Sequence, residues 1–232
     1  MFGYYYGFDY YYLVLVLPAI LISLFAQIKV KSSFSKYSKV STRFSGAEAA
    51  ERLLHSRGIN NVRIERVSGN LTDHFDPKTN VIRLSDSVYD SRTIAAVGVA
   101  CHEAGHAAQY AEHYLPIKIR NLIVPITQFG SYLSWPLLLI GIIFNYSYLI
   151  DIGILLFGLV VLFQLITLPV EFNASRRALK ALTEYGIVYD ADEKRGAKSV
   201  LTAAALTYVA ALLVSLAQFL RLILLTQGRR RR

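Results

Sequence analysis

The chain is poor in sulfur and in imidazole: 232 residues include one cysteine, one methionine and five histidines. A single cysteine excludes an internal disulfide and leaves the redox compartment open. Acidic residues are also scarce, 16 against 25 lysines and arginines, for a net charge of +9. The basic residues gather beside apolar runs and do not interleave with aromatics. That pattern points to anionic lipid head groups as a partner and away from nucleic acid. The first twelve residues contain tyrosines and glycines but no basic residue and no small-residue cleavage site, so this stretch is not expected to be a secretory signal. No internal repeat is present, which argues against a transporter.

Apolar residues are abundant. They make up 54% of the chain, and the mean hydropathy of +0.38 is too high for an ordinary soluble domain, so part of the chain is expected in lipid. Apolar stretches fall at about residues 10–28, 126–146, 150–168 and 201–225. Pro18 is expected to kink the first. The short polar link of Asn145, Tyr146, Ser147 and Asp151 makes the middle two a helical hairpin that returns to the side it left. Lys29, Lys31, Lys36, Lys39 and Arg43 follow the first stretch in a Ser-rich linker, a positive-inside signal that places the next segment in the cytoplasm. Ser45-Gly46-Ala47-Glu48 is a capping box opening a helix to about Ser56. Residues 61–67 and 80–84 read as two strands separated by the turn-rich 68–80. Asp86 can cap a brief helical turn, and Thr93 opens a helix running to about Tyr114.

That last helix contains His102-Glu103-Ala104-Gly105-His106. Residues four apart share a helix face, so both imidazoles can reach one cation, and zinc suits them. Glu103, about 100° around the helix from His102, can lean over an open coordination position and act as a general base. Gly105 costs about 1 kcal/mol against alanine; its expected use is close approach by a strand, a substrate or the metal. The bland alternative is a chance match on an amphipathic helix with both histidines merely hydrogen-bonded.

Catalytic zinc usually takes three protein ligands and a water. His113 fits no extended motif, because Gln109 and Glu112 stand where HExxHxxGxxH requires glycine and histidine. Glu171, just after the hairpin, is the better third ligand, since a carboxylate at the end of a long apolar helix is costly unless paired or coordinated. Ser175, four residues on, can hydrogen-bond a ligand. The competing reading pairs Glu171 with Arg176, Arg177 or Lys180. His74 reads two ways, as a donor to the tetrahedral oxyanion or as a turn residue bonded to Asp73 and Asp76. Cys101 reads as a small buried residue, and His55 as a solvated one.

The stretches Leu71-Thr72-Asp73-His74-Phe75-Asp76-Pro77, Val81-Ile82-Arg83-Leu84-Ser85, His102 to Gln109 and Glu171-Phe172-Asn173-Ala174-Ser175 together resemble the bacterial neutral zinc metallopeptidase family of multi-pass membrane proteins. The resemblance covers nearly the whole chain. It implies a zinc-dependent membrane endopeptidase of the gluzincin type with Glu171 as third ligand. The chain is similar, more remotely, to membrane proteases that process prenylated proteins or clear damaged membrane proteins, which share the inserted hairpin and a Glu-x-x-x-Asp motif. Ser175 departs from that aspartate.

The expected fold is therefore α+β, mainly helical, with about four transmembrane helices and a small zincin-like unit. Its expected parts are an N-terminal transmembrane helix (1–28), a catalytic segment (29–118), the hairpin (119–168), the third-ligand helix (169–198) and a C-terminal apolar helix with a basic tail (199–232). The second strand is expected to hold a peptide substrate by strand addition. The expected function is peptide hydrolysis at zinc on the cytoplasmic side of the cell membrane, on protein or peptide substrates, with self-association plausible for so apolar a chain. Four spans would put the final arginines outside, against the positive-inside rule, so the last stretch reads as surface-lying or re-entrant, interrupted by Arg221. The rival reading is a non-catalytic scaffold or chaperone-like protein with a structural zinc, which requires a fourth ligand from His74 or Cys101.

Overall fold

The computed structural model describes residues 4–5 and 8–230, with side chains for 9–227. Much of the tyrosine-glycine start and the side chains of the final arginines lie outside the described residues. In chain order the elements are β1 (Tyr4–Tyr5), β2 (Phe8–Asp9), a π-helical turn (Tyr12–Val16), α1 (Leu17–Tyr37), α2 (Gly46–Ser56), β3 (Arg63–Val67), β4 (His74–Asp76), β5 (Val81–Ser85), α3 (Ile94–Ala111), α4 (Leu115–Ile143), α5 (Ser147–Glu184) and α6 (Ala191–Arg230). Among the described residues, four helical stretches are long and apolar enough to cross a membrane: Tyr12–Tyr37, Leu115–Ile143, Ser147–Glu184 and Ala191–Gln227. The chain forms two compact units, one of Met1–Ala26, Ile119–Leu168 and Thr207–Arg232, the other of Gln27–Lys118 and Pro169–Leu206.

The second unit is built around α3. Its start is fixed by Thr93, whose hydroxyl accepts from the Ala96 amide at 3.3 Å. Its apolar positions are mostly alanine, and Ala96, Ala100, Ala104 and Ala108 are fully buried. Short side chains let neighbouring elements approach closely, and α2 packs along α3 through Ala49, Ala50, Leu53 and Leu54. The expected capping box is formed: the Ser45 hydroxyl accepts from the Glu48 amide at 3.2 Å, and the Glu48 carboxylate accepts from the Ser45 amide at 2.8 Å. Gly58, at φ +68°, follows the end of α2 in a conformation that favours glycine.

The sheet has three strands in the order β3-β5-β4, β3 parallel to β5 and β4 antiparallel to it. β5 is central because its residues are the most apolar: Val81, Ile82 and Leu84 are fully buried. The expectation that this strand offers a free edge is therefore corrected, since both of its sides are paired. The edge neighbouring α3 is β4, which forms within the stretch read as turns. Its signal is weak, three residues with one apolar side chain, Phe75, packed against Tyr110 of α3 at 6.0 Å between ring centroids.

In the first unit, Leu138, Ile150, Phe157, Val161 and Leu222 form a core. The α4–α5 hairpin closes through Asn145 at φ +58°. Tight seams at Gly141 and Gly153 meet Ile150 and Leu138. Pro18 lies immediately after the π-helical turn, inside the continuous helical stretch Tyr12–Tyr37. The helices are longer than the apolar runs alone suggest. α1 continues to Tyr37 through much of the basic linker, and α6 runs unbroken through Arg221. Arg221 does not interrupt α6, because its guanidinium is partnered: Nε donates to Asp9 Oδ2 at 2.7 Å, and the group lies over the Tyr12 ring.

Two glycines of the second unit separate packing from propensity. A Cβ at Gly98 would meet nothing within 4 Å, whereas one at Gly46 would fall 2.3 Å from the Val88 carbonyl oxygen. Gly98→Ala is expected to raise stability by about 0.5–1 kcal/mol, and Gly46→Ala to lower it by about 1–3 kcal/mol. Urea unfolding of the detergent-solubilised protein checks both.

Candidate metal centre

His102 and His106 lie one turn apart on α3 with ring centroids 4.7 Å from each other. Facing them is Glu171 of α5, 1% exposed. Glu171 Oε2 stands 3.2 Å from His102 Nε2 and 3.4 Å from His106 Nε2. The carboxylate thus reaches both imidazoles. Among the described residues, His102, His106 and Glu171 form a group whose ligand atoms all lie within 4.8 Å of one another.

This set fits zinc on geometric grounds. Ligand atoms about 2.0–2.1 Å from a tetrahedral zinc stand about 3.3–3.4 Å apart, matching the 3.2 and 3.4 Å separations seen here. The outer nitrogens are also engaged. His102 Nδ1 meets the Ser175 hydroxyl at 3.2 Å, and His106 Nδ1 meets Gln109 Oε1 at 3.0 Å. Both rings thereby turn Nε2 toward the same point. His74 and Cys101 are not members of the group, so the fourth ligand that a closed structural site needs is not supplied by either. Cys101 is wholly buried in the α2–α3 core, and burial pushes its thiol far above its usual range.

The two helices carrying the donors meet at backbone distance. A Cβ on Gly105 would fall 2.8 Å from the Ala174 carbonyl oxygen. The close approach expected at Gly105 is therefore made by helix α5, not by a strand. The contact brings the helix that carries Glu171 onto the face that bears both histidines.

The electrostatics are those of an anionic pocket. Burial pushes the His106 imidazolium down, but the Glu171 and Glu103 carboxylates outweigh it and the net shift is upward. Glu103 is itself buried on α3. Its charge is felt by Asp73, whose carboxyl is raised chiefly by burial and further by Glu103, although it accepts bonds from the Ser85 amide and hydroxyl. The 73–76 stretch therefore runs within electrostatic reach of Glu103. His74 itself is exposed, and its Nδ1 is 2.8 Å from the Thr72 carbonyl.

Two residues near the centre had no expected part in it. Gln109 is fully buried; the available signal was a polar residue three positions after His106 on the same helix face. Glu112 caps α3 and pairs with Arg57 at 2.7 Å and with Arg177 of α5. Partial burial pushes its carboxyl up, but the two guanidiniums outweigh this and hold it below its ordinary value of 4.5.

A His-His-Glu group that could hold a metal ion, gathered on two packed helices of a chain with four membrane-length helices among its described residues, marks a membrane protein of the HExxH zinc-peptidase class. The chain belongs to the neutral zinc metallopeptidase family: the family model described as "Putative neutral zinc metallopeptidase" matches residues 12–227. It is 47% identical over 216 residues to the "Putative membrane protease YugP" of Bacillus subtilis (strain 168), covering 92% of this chain and 96% of that one. No solved structure matches the chain.

Gly105→Ala is expected to force α3 and α5 apart and to weaken zinc binding by about tenfold or more, as disturbance of a ligand's support does; chelator competition measures it. The Glu112 pairs predict a pH effect of known sign. A carboxyl held below its ordinary value stabilises the fold fully above that value and loses the contribution as pH falls through the lowered one. Between about pH 6 and pH 3, wild type is expected to lose more thermal stability than Glu112→Gln.

Proposed function

We propose that the protein is a zinc-dependent membrane endopeptidase, with zinc held by His102, His106 and Glu171 and with Glu103 as the general base. The observation that carries this reading is the gathering of His102, His106 and Glu171, whose ligand atoms lie within 4.8 Å of one another, beside the buried Glu103 carboxylate on the histidine helix. When bound, zinc supplies Lewis acidity, bringing the pKa of a water toward neutrality and polarising a peptide carbonyl. Glu103 accepts the proton of the attacking water on a carboxylate oxygen and hands it to the departing amine. Ser175 holds the His102 ring through Nδ1. The free edge of β4, beside α3, offers main-chain bonds to an extended peptide. His74, in that strand and next to Asp73, is the proposed donor to the tetrahedral oxyanion.

The catalytic side is proposed to be cytoplasmic. The basic residues after the first span, Lys118 and Arg120, and the cluster from Arg176 to Lys198 all belong to segments at that end, and their number exceeds the four terminal arginines. The name of the Bacillus relative, a membrane protease, supports a protein or peptide substrate. The scaffold reading is less well supported, because neither His74 nor Cys101 joins the donor group.

Purified protein in detergent, assayed for zinc and for cleavage of casein, tests the reading. Glu103→Gln is expected to retain zinc and lose activity by about 10²–10⁴-fold, the usual weight of a general base. His102→Ala is expected to lose both. A fully active Glu103→Gln protein would overturn the role of Glu103.

A further inference from the structure

Gln109 is the residue whose surroundings the proposed chemistry leaves unexplained. It is 0% exposed, and a buried amide is costly unless all its groups are bonded. Its Oε1 lies 3.0 Å from His106 Nδ1, and its Nε2 donates to the Val170 carbonyl at 2.8 Å and to Asn173 Oδ1 at 2.9 Å.

These partners leave the amide one orientation. A backbone carbonyl can only accept, so the side of Gln109 facing Val170 must be the amino group. Asn173 Oδ1 also accepts from Arg177 Nε at 2.7 Å, which fixes that oxygen toward its donors. Both amino hydrogens of Gln109 are then committed, and its oxygen faces His106. An amide oxygen can only accept, so the proton of the His106 ring must sit on Nδ1, and Nε2 presents its lone pair to the cation. Ser175 cannot impose the same choice on His102, because a hydroxyl both donates and accepts. The orientation of Gln109 originates on α5, through Val170 and Asn173, the same helix that carries Glu171.

We propose that Gln109 is a positioning residue for the metal centre, locking His106 in the Nδ1–H tautomer and coupling that tautomer to the seating of α5. The inference rests on the zinc reading above and adds to it the device that prepares one ligand. It touches neither substrate nor zinc.

The test is zinc affinity of the full-length protein in detergent, by competition with a chromophoric chelator, alongside thermal unfolding of the zinc-free forms. Gln109→Met keeps the length of the side chain and removes its polar atoms. It is expected to weaken zinc binding by about 10–100-fold, the usual effect of losing the outer partner of a ligating histidine. Gln109→Glu restores an acceptor opposite Nδ1 but sets a carboxylate oxygen against the Val170 carbonyl and Asn173 Oδ1; it is expected to bind zinc more tightly than Gln109→Met and more weakly than wild type. A residue that only filled space would change unfolding and leave affinity alone. Zinc binding by Gln109→Met within threefold of wild type, or no tighter binding by Gln109→Glu than by Gln109→Met, overturns the proposal. Should Gln109→Met not fold, Asn173→Ala decides: weakening of about three- to tenfold supports the coupling through α5, and unchanged affinity overturns it. Wild-type protein that binds no zinc at all would instead remove the metal site, and the inference with it.

Discussion

The metal centre depends on one steric fact, that α3 and α5 touch at the level of their backbones. Gly105 lies against the Ala174 carbonyl closely enough that no side chain fits between them. Glu171 and Ser175 lie on either side of that contact along α5, and both reach back to the histidines of α3. An isolated glutamate buried to 1% exposure would be expensive in any apolar setting. Here its position is imposed by the helix crossing, and two imidazoles share its oxygen. Removing backbone proximity would separate the donors even with every ligand present in the sequence.

Around this contact the polar groups form a continuous series. His106, Gln109, Asn173, Arg177, Glu112 and Arg57 are linked in succession by hydrogen bonds or ion pairs. The series begins at His106 in the interior and ends in charges at the surface. Buried polar series of this kind are favourable when their members are satisfied, and here the inner members are; Arg57 Nε, at the outer end, has no hydrogen-bond partner among the described residues. Small residues provide the apolar counterpart, the alanines of α3 letting α2 and α5 pack tightly.

Much of this was legible in the amino-acid order, for identifiable reasons. The capping box at Ser45 and Glu48 and the N-cap at Thr93 are local rules, satisfied by residues three apart, and both hold. The i, i+4 histidines and the membrane-length helices follow from periodicity and length. Glu171 stood out because a carboxylate at the end of an apolar run needs a partner. Strand β4 was not legible, since three residues with one apolar side chain carry almost no period, and its pairing with β5 is made by tertiary context. The centrality of β5 was hidden with it. Gln109 and Glu112 were missed because a polar residue at a helix end reads as solvated until the neighbouring helix is known. Arg221 appeared to break an apolar helix because its partner, Asp9, lies 212 residues away.

That last separation has a consequence for how the chain is made. The first compact unit is assembled from three pieces that lie at opposite ends and in the middle of the sequence. Asp9 leaves the ribosome long before Arg221 exists. Throughout synthesis Asp9, in β2 just ahead of the first apolar helix, awaits its guanidinium, while His102, His106 and Glu171, all present once Glu171 has emerged, can already gather. The order of translation therefore separates the two halves in time: the metal centre can form on a nascent chain, and the helical unit closes only when the last helix arrives.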